Sequence, residues 1–134
     1  MKKDIEIPKV ENVTVAVAHS INEAGGEEWR VHLINNNEYD LENTLVTSKG
    51  YGKKEGETQK TSTLRHFLET VKANDTAAIE TLDPAVFHLN NEYWVTYYVD
   101  GTMYDKRFTF LPDSIQNSNL TFIEALGSEG ILHS

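Results

Sequence analysis

The residues of this chain most able to do chemistry are five histidines and one dense run of hydroxyls. His19, His32, His66, His88 and His133 could ligate a metal or move a proton. A metal-binding helix needs two histidines four residues apart, and a strand needs them two apart to put both rings on one face. No pair has either spacing, and there is no cysteine to supply a thiolate, so no metal site is assigned. Thr61, Ser62 and Thr63 stand beside Arg65 and His66. A serine nucleophile with a histidine base is conceivable chemistry. Yet Ser62 lacks a glycine-flanked elbow, and adjacent strand residues face opposite sides. The solvent side of a strand, or a helix cap, is the simpler reading. No two carboxylates are singled out for acid–base work. No catalytic residue and no cofactor is assigned.

Residues 49 to 57, KGYGKKEGE, invite comparison with a phosphate-cradling loop. A P-loop needs G-x-x-x-x-G-K-[ST] running into a helix. Here Gly56 is followed by Glu57 where lysine should stand, and a dinucleotide fingerprint would need glycine at Glu55. The stretch reads as a solvated, basic hairpin loop. Trp94 and Tyr98 alternate along one segment and could stack a sugar or a peptide, but aromatics so placed in a central strand are more often core.

These groups must be carried by extended structure, because alternation with period two dominates the chain. Val13, Val15 and Val17 alternate with Thr14, Ala16 and Ala18, and Trp29, Val31 and Leu33 alternate with Arg30, His32 and Ile34. The Asn35-Asn36-Asn37 run ends the second of these strands. A third runs from Leu41 to Ser48. Residues 61 to 82 are ambiguous. Leu64, Phe67, Leu68 and Val71 fit a helix, whereas Thr61, Thr63, Phe67, Thr70 and Val71 favour a strand, a turn at Lys72 to Asp75 and a further strand. Strands on both sides decide for the extended reading.

Asp100-Gly101 is the preferred dipeptide of a two-residue type I′ turn. It pairs Val99 with Thr102, Tyr97 with Tyr104, Val95 with Lys106 and Tyr93 with Phe108 on one face. Tyr98 with Met103 and Trp94 with Arg107 fall on the other. Leu120, Ile123 and Leu126 are spaced like one face of a short helix, capped at Ser118 or Asn119 and stopped by Gly127. The expected fold is an all-β, immunoglobulin-like β-sandwich with a short C-terminal helix; a small α+β domain is the alternative. Its 134 residues make one domain, with 1–10 and 128–134 loosely ordered.

Twelve basic residues against 21 acidic ones leave a net charge of −9, a field that opposes nucleic acid and anionic lipid. The N-terminus has lysines but no apolar stretch behind them, so it does not read as a signal peptide. No run reaches the roughly 18 to 20 apolar residues of a membrane span. With no cysteine, a cytoplasmic location is expected.

LINNNEYDLENTLVTSKGYG, KTSTLRH and NEYWVTYYVDGTMYDKRFTF together resemble a family of short bacterial proteins, some labelled phenylalanyl-tRNA synthetase subunits. The resemblance implies an all-β domain and, through the label, a synthetase-associated role. The arginine-containing ATP motif and glycine-rich motif of a class II synthetase core are not recognisable, and the chain has only Arg30, Arg65 and Arg107.

The function expected is a non-enzymatic protein-interaction module. Tyr51, Lys53, Lys54, Arg65 and His66 are the binding candidates, because loops and exposed strand faces carry function more often than cores. Open sheet edges would also permit homo-oligomers. The alternative is a small-ligand binder or enzyme whose site assembles from distant residues such as His32 and His66.

Overall fold

The computed structural model describes residues 8–133 and is all-β, with two antiparallel sheets and no barrel closure. Ten strands follow in order: β1 Val13–Ile21, β2 Glu27–Asn35, β3 Leu41–Lys54, β4 Glu57–Lys60, β5 Leu64–Val71, β6 Asp75–Thr81, β7 Asn90–Val99, β8 Thr102–Phe110, β9 Thr121–Ile123 and β10 Ser128–His133. The first sheet has the order β6-β2-β1-β10-β9. The second runs β4-β3-β7-β8, and β5 also pairs with β3. The only helical pieces among the described residues are two 3-10 turns, Pro84–Val86 and Asn117–Asn119, so the α+β alternative falls.

The alternating residues meet as the period-two pattern requires. Val13, Val15, Val17, Val31 and Leu33 from the first sheet share one core with Val46, Tyr93, Val95, Tyr97 and Phe108 from the second. Each large apolar side chain buried there contributes roughly 1.5–3 kcal/mol. The β7–β8 hairpin has the expected register, from Val99↔Thr102 out to Tyr93↔Phe108, around Asp100 and Gly101 with φ of 50° and 78°. Residues 64 to 81 are two strands joined at Lys72–Asn74, not a helix. Buried Asn35 ties that turn down: its amide donates to the Val71 and Lys72 carbonyls, and its oxygen accepts from Asn37.

Three expectations are corrected. There is no C-terminal helix. Leu120, Ile123 and Leu126 do have helical spacing, but a helix of so few residues is marginal alone. Pairing of Ile123 with Ser128 and Phe122 with Glu129 makes a hairpin instead, and Ile123 and Leu126 pack against Ala16 and Ile34 on the outer face of the first sheet. Residues 128–133 are not loose; β10 lies between β1 and β9, with Ala16↔Leu132 and Ala18↔Gly130 in register. The expectation for residues 1–10 falls largely outside the described residues. Finally, KGYGKKEGE is not a long loop. β3 continues to Lys54, pairs with β4, and turns at Glu55-Gly56, whose φ of 52° and 82° make a second tight turn of the Asp100-Gly101 kind.

Candidate functional site

Where the two sheets meet beside β5 and β6, a carboxylate is turned inward. β6 carries an irregularity opposite Val31 and His32: Val31 pairs with Glu80 but His32 pairs with Ala78, so Ile79 is an extra residue. A bulge of this kind re-aims side chains. It lets Ile79 join the core while Glu80, next in sequence, also points between the sheets. One Glu80 oxygen, Oε1, accepts from Ser48 Oγ at 2.9 Å and lies 2.8 Å from His66 Nε2. The other, Oε2, accepts the Tyr93 hydroxyl at 2.8 Å. Side-chain exposure is 14% for Glu80 and 24% for His66. Burial first, then the charge and hydrogen bond of Glu80, hold the Tyr93 hydroxyl far above its ordinary titration range, so it stays a proton donor.

Ser48, Glu80 and Tyr93 border a cavity of ≈ 390 Å³, and His66 supports Glu80 from outside its lining. Gly50 of β3, Thr61 from the β4–β5 connection, Leu64 at the start of β5, Leu82 and Val86 beyond β6, and Asn91 of β7 complete much of its wall. β4 ends at Lys60 and β5 begins at Leu64, so on that side β3 has no strand partner at Gly50, while β7 still pairs with it on the other through Asn91. Thr61 fills the break. Its N–H donates to the Gly50 carbonyl at 2.8 Å, and its hydroxyl accepts from Gly50 N–H at 2.8 Å.

Ser48, His66 and Glu80 are not a nucleophilic triad. Both serine and histidine bond to the carboxylate, and no Ser48–His66 hydrogen bond occurs among the described residues. A base must reach the nucleophile it activates.

The outer face of the second sheet is the other unusual surface. Register places Arg65, Thr47, Trp94 and Arg107 in one row across β5, β3, β7 and β8. Phe67, Leu45, Thr96 and Asp105 form the next row, with Tyr98 and Met103 beyond. The Arg107 guanidinium lies 4.3 Å from the Trp94 ring centroid, a cation–π stack. Phe67 is 61% exposed, Met103 51% and Trp94 37%. Trp94 is therefore a platform and not core; the core face of this strand carries Tyr93, Val95 and Tyr97.

The five binding candidates separate. His66 turns inward to Glu80, whereas Arg65, its neighbour, belongs to the outer face. Tyr51 is exposed farther along β3, with the Lys49 ammonium 5.7 Å from its ring centroid. Lys53 and Lys54 pair with Thr58 and Glu57 on the β3–β4 ribbon. His32 does not join His66: it shares the outer face of the first sheet with Ile34, and its Nδ1 is buried without a hydrogen-bond partner among the described residues. Burial, then neighbouring Arg30, lowers its pKa. Sequence reasoning missed Ser48, Glu80 and Tyr93. The one available signal was a lone carboxylate directly after an apolar strand residue, Ile79.

Among the described residues no three His, Asp or Glu side chains gather as a metal site, and no helix is long and apolar enough to cross a membrane. Compared with models of protein families, with curated proteins and with solved structures, the chain gives no match.

Proposed function

We propose that this protein is a non-enzymatic binding module that docks a partner protein on the outer face of its second sheet. The observation that carries this reading is the row Arg65–Thr47–Trp94–Arg107 with exposed Phe67 and Met103 beside it. Tryptophan, tyrosine and arginine dominate interface hot spots, and an Arg–Trp stack presents a rigid, flat surface at low entropic cost. Two of the chain's three arginines stand here, roughly 14 Å apart at three strand spacings. The fitting partner offers an apolar centre flanked by carboxylates. An immunoglobulin-like connectivity belongs to this proposal as its finer architectural form, and a cytoplasmic partner suits a cysteine-free chain. A synthetase-associated role through RNA has less support, since Asp105 and Glu92 interrupt the basic groups on this face.

The test is photocrosslinking from a reactive residue placed at Thr96, in cells, compared with an Arg65→Ala, Trp94→Ala, Arg107→Ala variant carrying the same probe. A discrete adduct that disappears in a folded triple variant supports the docking face. An adduct of undiminished yield in the triple variant rules it out. An adduct at twice the chain's mass identifies the partner as a second copy.

A further inference from the structure

We infer that the cavity beside Glu80 is a binding site for a small organic amine with an apolar body. This is independent of the docking face, which lies on the other side of the second sheet. Three features of the cavity select that chemistry.

The first is an acceptor with spare capacity. A carboxylate has about four lone-pair positions. Among the described residues, Ser48 and His66 use Oε1 and Tyr93 alone uses Oε2, which leaves one position on Oε2 for a donor from outside the protein. Holding a carboxylate between two sheets is costly unless donors satisfy it, and three donors fix it here in one orientation. The ligand therefore meets a preorganised acceptor and orders nothing on arrival.

The second is charge. Asp83 adds a second carboxylate to the lining. The only lysine there, Lys49, directs its ammonium to Glu92, 3.9 Å away, and to the Tyr51 ring on the outer face. Apart from the nearby His66 imidazole, already bonded to Glu80, no basic group among the described residues of the lining answers an anionic ligand. The net charge of −9 further concentrates small cations near the surface.

The third is shape. At ≈ 390 Å³ the space lies in the range of small-molecule sites, and Leu64, Leu82, Val86 and the Tyr93 ring give it apolar walls. Gly50 keeps one wall open. A Cβ there would come within 3.1 Å of Thr61 Cγ2 and 3.3 Å of Leu89 Cδ1. An amine at Glu80 Oε2 with its hydrocarbon against Leu82 and Val86 uses all three features, whereas a phosphate or carboxylate uses only the last.

The experiment titrates the intact protein with 2-phenylethylamine, phenylacetate and 2-phenylethanol, followed by amide chemical shifts. The amine should give saturable shifts at Ser48–Gly50, Ser62–Leu64 and Thr81–Asp83, about tenfold or more tighter than the other two compounds, as a charge-assisted hydrogen bond provides. Glu80→Gln should abolish that preference. Val86→Trp, which fills the cavity without touching the Glu80 hydrogen bonds, should abolish binding even if Glu80→Gln does not fold. Equal binding of the three probes, shifts confined to other residues, or no saturable shift with the amine would each overturn the inference.

Discussion

The Tyr93 hydroxyl donates to Glu80 Oε2 at 2.8 Å, and this bond joins the second sheet to the first. His66 and Ser48 make the same crossing to Oε1. One side chain from β6 thus gathers three donors from β3, β5 and β7, a polar rivet at the edge of an apolar core.

Tyr93→Phe should cost about 1–3 kcal/mol, because it removes a hydrogen bond to a charged, largely buried acceptor. Glu80→Ala should cost more, since it strands three donors at once. Urea unfolding of the two variants measures both, and a Glu80→Ala protein as stable as wild type would show the rivet to be ornamental.

Alkaline pH should destabilise the fold through Tyr93. Its folded pKa is raised above the ordinary value of 10.0, by burial first and by Glu80 second. A raised pKa stabilises fully below the unfolded value and loses that contribution as pH rises through the folded one. Urea midpoints should therefore fall above about pH 10, with a shallower fall in Tyr93→Phe.

On the acid side the sensitive group is His32. Burial and Arg30 lower its pKa below 6.5, so the fold prefers the neutral ring. The stability this confers is present above the unfolded pKa and declines as pH falls through the folded value. His32→Gln should flatten the stability profile below about pH 6.5, while leaving the neutral-pH midpoint nearly unchanged.

Lys53→Ala with Lys54→Ala should leave stability within about 0.5 kcal/mol of wild type, as both side chains are exposed on the ribbon. Gly56→Ala should cost more, about 1–2 kcal/mol locally, because its φ of 82° is hard for any residue with a Cβ. Thermal melts and amide exchange at Thr58 and Gln59 distinguish the two.

Gly130→Ala should be among the most damaging small changes. A Cβ there would stand 2.5 Å from the Val17 carbonyl oxygen and 2.8 Å from Ile123 Cδ1. Overpacking against backbone costs about 1–3 kcal/mol or more, and calorimetry of the variant reads it directly.

The fold was legible wherever one local rule sufficed. Asp100-Gly101 dictates a type I′ turn, and with it every pair from Val99↔Thr102 to Tyr93↔Phe108. Trp94 facing outward follows from the same register, but whether an outer face is covered depends on distant chain, so its exposure could not be read locally. Glu55-Gly56 obeys the same turn rule as Asp100-Gly101, and was obscured by the surrounding glycines and lysines. At the C-terminus, helical spacing lost to pairing of Ile123 with Ser128 and to the apolar contact with Ile34. Glu80 was least accessible of all. Its direction depends on one residue of slippage between β6 and β2, and its partners lie 32, 14 and 13 residues away in sequence.

The pairing of β1 with β10 has a kinetic consequence. Val15 lies opposite His133, so this ladder closes a loop of more than a hundred residues, whereas β7 and β8 meet across a two-residue turn. Hairpins of the latter kind form in roughly 1–10 μs, and long-range pairing must first overcome the entropy of closure. The second sheet, whose longest-range ladder joins β3 to β7 across at most 56 residues, from Glu42 to Tyr98, is expected to be structured early, and the centre of the first sheet to be sealed late. Pulsed hydrogen exchange would show it as protection of Val95 and Lys106 before Val17 and Ile131. Until that last seam closes, the apolar flank of β1 remains the stretch of this chain most open to pairing with the wrong strand.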